Sequence, residues 1–253
     1  MNEILKQLHE LRLTGMARAF KTTIESDKNE NYTADELLTL LINSEQDERH
    51  NRKMDRSLQL AKFRYKVSPE QLAFEDNRVD KNQVLRLSDC DFIKQRENII
   101  ITGSTGIGKS FLASALGHQA CAQGYRVLYQ HNTKLFARMK IAKTDGSYIR
   151  EMAKIEKQHL LIIDDFGIQP LDAHSRSALM EIIEDRHGKS SMIITSQVPV
   201  SMWHEVIGEQ TIADAILDRI VHDAHRIEMK GESLRKKRQP KNEEEIVIEN
   251  LKN

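Results

Sequence analysis

The stretch "NIIITGSTGIGKSFL", residues 98–112, constrains this chain more than any other. An apolar run leads into Gly103, four residues follow, and Gly108, Lys109 and Ser110 open an apolar helical pattern. That is the spacing of a phosphate-binding loop. Glycines let the backbone curl until successive amides point inward at an anion. The helix that follows adds its dipole at the same point. The geometry works only between a buried strand and a helix, so the stretch predicts an α/β fold with a parallel sheet.

The pattern downstream agrees. Short apolar runs alternate with amphipathic segments, which predicts strands at Ile99–Thr102, Val127–Gln130, Leu160–Asp164, Met192–Thr195 and Arg226–Met229. Helices are expected between them, near Lys109–Gln123, Thr133–Ala142, Ser147–Gln158, His174–Arg186 and Ile212–Val221. Ahead of this core, residues 1–66 read as purely helical, with a break near Gly15. "TADELLTLLI" opens on a capping box of Thr33 and Glu36, and its helix should run on through "AKF". The expected division is a helical N-terminal domain (1–66), a linker and entry segment (67–97), the α/β core (98–235) and a charged mobile tail (236–253). The runs "NIIIT", "HLLII" and "SMIIT" are too short to span a bilayer. Cys90 and Cys121 form no metal or redox motif, which suits packing residues in a reducing, cytoplasmic setting.

A nucleotide site needs a second half, and "HLLIIDDFG" supplies it. Alone, it also describes a core strand ending in an Asp-capped turn. Behind a phosphate loop in the same sheet, it reads as a strand whose C-terminal edge presents two carboxylates, where ligands of open α/β sheets sit. ATP and Mg²⁺ are the expected cofactors. In the loop, Gly103, Ser104, Thr105, Gly106, Ile107 and Gly108 would wrap the phosphates, with Phe111 just beyond. Lys109 would bridge the β- and γ-phosphates, Ser110 and Asp164 would hold Mg²⁺, and Asp165 would orient the attacking water. "TSQ" ends a strand with Thr195, Ser196 and Gln197 placed to reach the γ-phosphate or that water. Arg219 stands on a helix just before the last strand; read from pattern alone, it also fits a surface arginine paired with Asp218 or Asp223.

Formal net charge is zero, so no chain-wide polycation exists to grip nucleic acid, and any such contact must be local. Between Arg49 and Lys66 seven basic residues stand against one acid, and Arg49, Arg52, Lys53 and Arg56 share a helical face. Lys134, Arg138, Lys140 and Lys143 form a second set after the second strand. Neither is interleaved with aromatics, so backbone contact with duplex DNA fits better than a single-strand stacking platform. Trp203 is expected to pack rather than to form a site.

Over roughly residues 70–235 the chain resembles the AAA+ ATPases. "GSTGIGKS" stands as Walker A, "LLIIDD" as Walker B, "TSQ" as the sensor 1 region and "ILDRI" as the arginine-finger box. "LRLTGMARAF", "AKF" and "GESLRKKR" bring it nearest the IstB-like side of the DnaC/IstB group. The resemblance implies ATP-dependent homo-oligomers on duplex DNA that remodel it and recruit or stimulate a transposase, with a replicative helicase as the alternative partner. It also implies that Arg219 acts on a neighbour's ATP. Most AAA+ modules add a helical lid after the fifth strand; none fits here, and Arg235 would stand in for the lid arginine. Many AAA+ proteins carry glutamate at the place of Asp165, so slow, DNA-stimulated hydrolysis is expected. A small-molecule P-loop kinase is disfavoured by the long helical prefix and by Arg219.

Overall fold

The computed structural model describes residues 2–26, 32–67, 79–231 and 233. It divides into two compact units, Met1–Gln59 and Leu60–Asn253.

The first unit is helical: α1 (Asn2–Glu10), α2 (Thr14–Glu25) and most of α3 (Ala34–Ala61). The capping box forms as expected. The Thr33 amide donates to Glu36 Oε2 at 2.8 Å, and the Glu36 amide donates to Thr33 Oγ1 at 3.3 Å. α2 has no side-chain cap of its own. Glu45 of α3 reaches across instead and accepts from the Gly15 and Met16 amides at 2.8 and 3.3 Å. Burial alone would raise the Glu45 pKa. Arg49 and the two amides outweigh it and hold the carboxyl below its ordinary range. Gly15 is therefore a close-approach residue inside the first turn of α2, where a Cβ would strike the α3 backbone. The break between α1 and α2 falls just before it, at residues 11–13.

The second unit holds a five-stranded sheet: β1 (Asn98–Gly103), β2 (Val127–His131), β3 (Leu160–Phe166), β4 (Ser191–Ser196) and β5 (Ala224–Met229). All pairings are parallel, in the order β2-β3-β4-β1-β5. Each strand overlaps its expected segment and runs one or two residues longer. The entry segment is more structured than expected. Two short helices, α4 (Lys81–Ser88) and α5 (Asp91–Gln95), precede β1, while most of the segment read as a linker lies outside the described residues.

Helix α6 (Lys109–Ala122) follows the glycine loop and packs against β1, β2, β3 and β4. It is apolar nearly all round because it is buried nearly all round. α7 (Asn132–Asp145), α8 (Tyr148–Glu156), α9 (Ala173–Arg186), α10 (Trp203–Ile207) and α11 (Gln210–Val221) complete the layers. Trp203 packs edge-on against Phe166 and donates its indole N–H to the Val198 carbonyl. Both cysteines are buried, and burial pushes their thiols up to about 12, as suits packing residues. Among the described residues no helical element follows β5, and no helix is long and apolar enough to cross a membrane.

Gly117 on α6 is a close approach: a Cβ there would run into the Phe63 ring and meet Ile162 Cδ1 at 2.8 Å. Gly117→Ala gains helix propensity but overpacks this contact, which costs about 1–3 kcal/mol. The variant should unfold at lower denaturant than wild type; a raised midpoint would mean Phe63 yields freely.

Candidate nucleotide site

The parallel sheet brings the C-terminal ends of β1, β3 and β4 together, with β4 between the other two. The glycine loop leaves β1 at one side. Gly103, Gly106 and Gly108 have φ of 150°, 81° and 113°, which side chains rarely adopt. At Gly103 a Cβ would lie 2.5 Å from the Met229 carbonyl, so space and backbone angle both require glycine. Lys109 is buried beneath the loop, and its ammonium donates to the Gly103 and Ser104 carbonyls at 2.8 and 2.9 Å.

At the other side, β3 ends in Asp164 and Asp165. Asp164 is fully buried. Its Oδ1 accepts from the Thr195 hydroxyl of β4 at 2.6 Å, and its Oδ2 accepts from the Tyr129 hydroxyl of β2. Burial and the Asp164 carboxylate both push the Tyr129 phenol well above its ordinary range, so it stays a donor. The β3–β4 register shifts between Ile163 and Phe166, and Asp165 takes φ 60° in that irregularity. The Asp165 amide donates to Thr195 Oγ1 at 3.0 Å, so one hydroxyl fixes both aspartates. The Asp165 carboxylate lies 3.4 Å from His131 Nε2 and 3.4 Å from Arg64 Nη1. Arg64 Nη1 is also 3.5 Å from Asp164 Oδ2. Gln197, at the end of β4, accepts from the Thr105 hydroxyl of the loop.

This donor set fits Mg²⁺. The described residues hold no cluster of three or more His, Cys, Asp or Glu side chains that would cage a metal by itself. Mg²⁺ is ordinarily held by one or two carboxylates together with phosphate oxygens and water. Ser110, at the start of α6, and Asp164 would supply the oxygens.

Arg219 is elsewhere. It sits on α11, and its carbonyl accepts from Asn98 Nδ2, at 3.5 Å, where β1 begins. The glycine loop starts at the other end of β1, roughly 17 Å away at the usual rise per residue. The partner of Arg219 is neither Asp218 nor Asp223 but Glu184 of α9, gripped by two prongs at 2.7 and 3.1 Å. Arg235 lies outside the described residues.

The basic candidates are partly paired. Arg49 and Arg52 contact Glu45, and Arg52 also contacts Glu48, both acids standing just ahead of the basic run. Lys53 and Arg56 are exposed on the same helix. In the second set Arg138 lies 3.3 Å from Glu151 and Lys140 lies 3.7 Å from Asp172. Lys143 stands 4.9 Å over the Tyr148 ring. The sequence reading missed Arg64, Tyr129 and His131 as parts of the site; Arg64 had been counted only as one more charge in the basic run.

Known proteins bear out the architecture. The IstB-like ATP binding protein family matches residues 6–242. The chain is 45% identical to a Sinorhizobium fredii protein, y4pL, named for an insertion sequence and ATP binding, over 94% of this chain and 97% of that one. It is 30% identical to the ATP-binding protein named for insertion sequence IS21 of Pseudomonas aeruginosa, over 95% of this chain and 91% of that one. Among solved structures it resembles DnaI (TM-score 0.58, 19% identity, covering 70% of this chain and 94% of that one). It also resembles AMPPCP-bound DnaA from Aquifex aeolicus (TM-score 0.54, 20% identity, covering 66% and 51%). At such identities these two carry the fold alone, a parallel sheet flanked by helices.

Thr195→Val keeps the strand's shape but strands a buried carboxylate oxygen and the Asp165 amide. It should cost about 1–3 kcal/mol in denaturant unfolding. Thr195→Ser should recover most of that loss, and equal stability of all three proteins would show that the hydroxyl does not hold the aspartates.

Proposed function

The chain belongs to the IstB-like ATP-binding proteins of insertion sequences, and from that membership we propose that it is a DNA-organising ATPase which assembles on duplex DNA and serves a transposase. The observation that carries the reading is the separation of Arg219 from its own phosphate loop by the length of β1. An arginine that cannot reach the nucleotide of its own subunit would serve by completing the site of another. ATP would then lie between two copies, and binding would join them.

In this reading Lys109 and the loop amides hold the phosphates, Ser110 and Asp164 hold Mg²⁺, and Asp165 orients water, with Gln197 near the γ-phosphate. Hydrolysis releases the assembly. Asp165 is held at its backbone by Thr195, but its carboxylate is one methylene shorter than glutamate and already engaged by two cationic or polar neighbours. Turnover should accordingly be slow, below about 1 s⁻¹ against an enzyme median near 10 s⁻¹, and should rise with duplex DNA. The transposase is the expected partner because the relatives that share nearly the whole chain are named for insertion sequences.

Light scattering with a duplex of about 50 base pairs tests the assembly, a span long enough to seat several phosphate-contacting subunits. Wild type should form large complexes only when ATP and DNA are both present. Arg219→Ala should still bind ATP yet stay small, whereas Lys109→Ala should lose ATP binding. A wild-type monomer that binds ATP and ignores DNA would overturn the reading. Within a DNA complex, Lys53 and Arg56 are the cations of the α3 face that show no acid pairing among the described residues. Replacing both with alanine should flatten the slope of log affinity against log salt by about 2. An unchanged slope would move the DNA contact off α3.

A further inference from the structure

We propose that Arg64 is a resident counter-cation of the nucleotide site, holding the place beside Asp164 and Asp165 that Mg²⁺ takes when nucleotide binds, so that Arg64 and the metal are alternative occupants. The inference rests on the ATP-binding reading above and adds a residue to that site.

Two carboxylates side by side at a sheet edge, one of them fully buried, are unfavourable without positive charge nearby. Arg64 supplies that charge. A single guanidinium nitrogen, Nη1, stands 3.5 Å from Asp164 Oδ2 and 3.4 Å from Asp165 Oδ2. The arrangement bridges two acids through one atom, which is what a small cation does. It is not the two-pronged arginine–carboxylate pair that resists displacement, such as Arg219 with Glu184. Both contacts are long, and the Arg64 side chain is 39% exposed, so it can leave towards solvent.

The flanking residues make this a placed group rather than a wandering one. α3 ends at Ala61, and Lys62 turns the chain with φ 59°. Phe63 packs against His118 of α6, with ring centroids 4.4 Å apart, and against Tyr129 at 6.2 Å. Tyr65 meets Phe111, which follows Lys109 and Ser110, at 5.9 Å. Val67 is buried. Two aromatic anchors thus strap this segment beside the site, both of them on α6. The Arg64 guanidinium lies 5.5 Å from the Tyr65 ring and over it. Phe63 touches Tyr129, whose hydroxyl holds Asp164, so a metal arriving at Asp164 acts on a group already coupled to the strap.

Three consequences follow. Removing Arg64 removes a competitor for the metal. Metal binding with nucleotide expels the guanidinium and loosens the strap around it. Lysine at this place, with a compact charge on a shorter reach, competes less well than arginine.

The test uses the full chain and a fluorescent ATP analogue, titrated with Mg²⁺ at fixed nucleotide. Arg64→Ala should reach half-saturation at about fivefold lower Mg²⁺ than wild type, the scale of a partly exposed ion pair, with Arg64→Lys between them. Hydrogen exchange across residues 60–67 of wild type should quicken when Mg²⁺ and nucleotide are added together. An equal or higher Mg²⁺ requirement in Arg64→Ala, or a strap whose exchange is unmoved, would overturn the proposal. Arg64→Gln, which keeps part of the aliphatic stem and a polar end without the charge, gives the same reading should the alanine variant fold poorly. Wild type that binds no nucleotide at any Mg²⁺ concentration would instead overturn the ATP-binding reading itself.

Discussion

The carboxylate of Asp164 is the point on which the site's geometry depends. It lies with no exposure on an interior strand, where an ionised group must find a partner for each oxygen. Those partners come from both neighbouring strands, Thr195 from β4 and Tyr129 from β2. A slip of one residue in either pairing would turn its partner to the opposite face of the sheet and leave the charge stranded. The group that would hold the metal therefore also fixes the register of the three strands around it. Glu45 plays a comparable part in the helical unit, where a buried carboxylate serves the open end of α2.

A parallel sheet has two unlike ends, and this chain furnishes them with opposite chemistry. The C-terminal end carries the curled amides, Lys109 and the aspartates, the parts that would receive an anion and its metal. The N-terminal end carries two arginines with different fates. Arg186 is buried and directs its guanidinium inward, donating to the Ile155, Gln158 and Ser191 carbonyls. Burial draws its pKa down to about 10, which leaves it protonated at neutral pH. Arg219 is partly exposed, and Glu184 holds its fork in one orientation. One arginine ties loops together, and the other is presented with its geometry already set. Copies meeting end to end would bring that presented charge to the anion-receiving edge of the next, which is the physical content of the shared-site proposal.

The parts of the fold that repeat a short pattern were legible in the sequence. Five apolar runs gave five strands, and the glycine spacing located the loop, because in both cases the signal is local. Residues 79–97 were not legible. α4 is eight residues long and α5 five, and α5 is bounded by Cys90 and Arg96 in left-handed conformations that no glycine announces. The partner of Arg219 was out of reach for another reason: Glu184 lies on α9, thirty-five residues earlier, and pattern offers only near neighbours. The basic face of α3 was misjudged by where the counting began. Starting at Arg49 excluded Glu45 and Glu48, whose i,i+4 spacing to Arg49 and Arg52 was plain in the sequence. Arg64 was hidden by the helix end. A helix continued through Phe63 would have placed it on a solvent face, whereas the turn at Lys62 sends it to the aspartates.

Asp165 shows how backbone and chemistry compete for one position. The comparison with glutamate suggests a simple loss of reach, but the residue stands in a strand irregularity with φ 60°. Aspartate enters that left-handed region several-fold more readily than most side chains. The irregularity in turn lets the Asp165 amide and the Asp164 carboxylate share the single Thr195 hydroxyl. A longer side chain would reach further from the sheet edge while straining the turn that holds both acids. Under the proposed roles, the shorter acid would keep the metal-holding residue in place at the expense of water alignment. That choice would suit the proposed assembly, in which the bound state rather than turnover does the work.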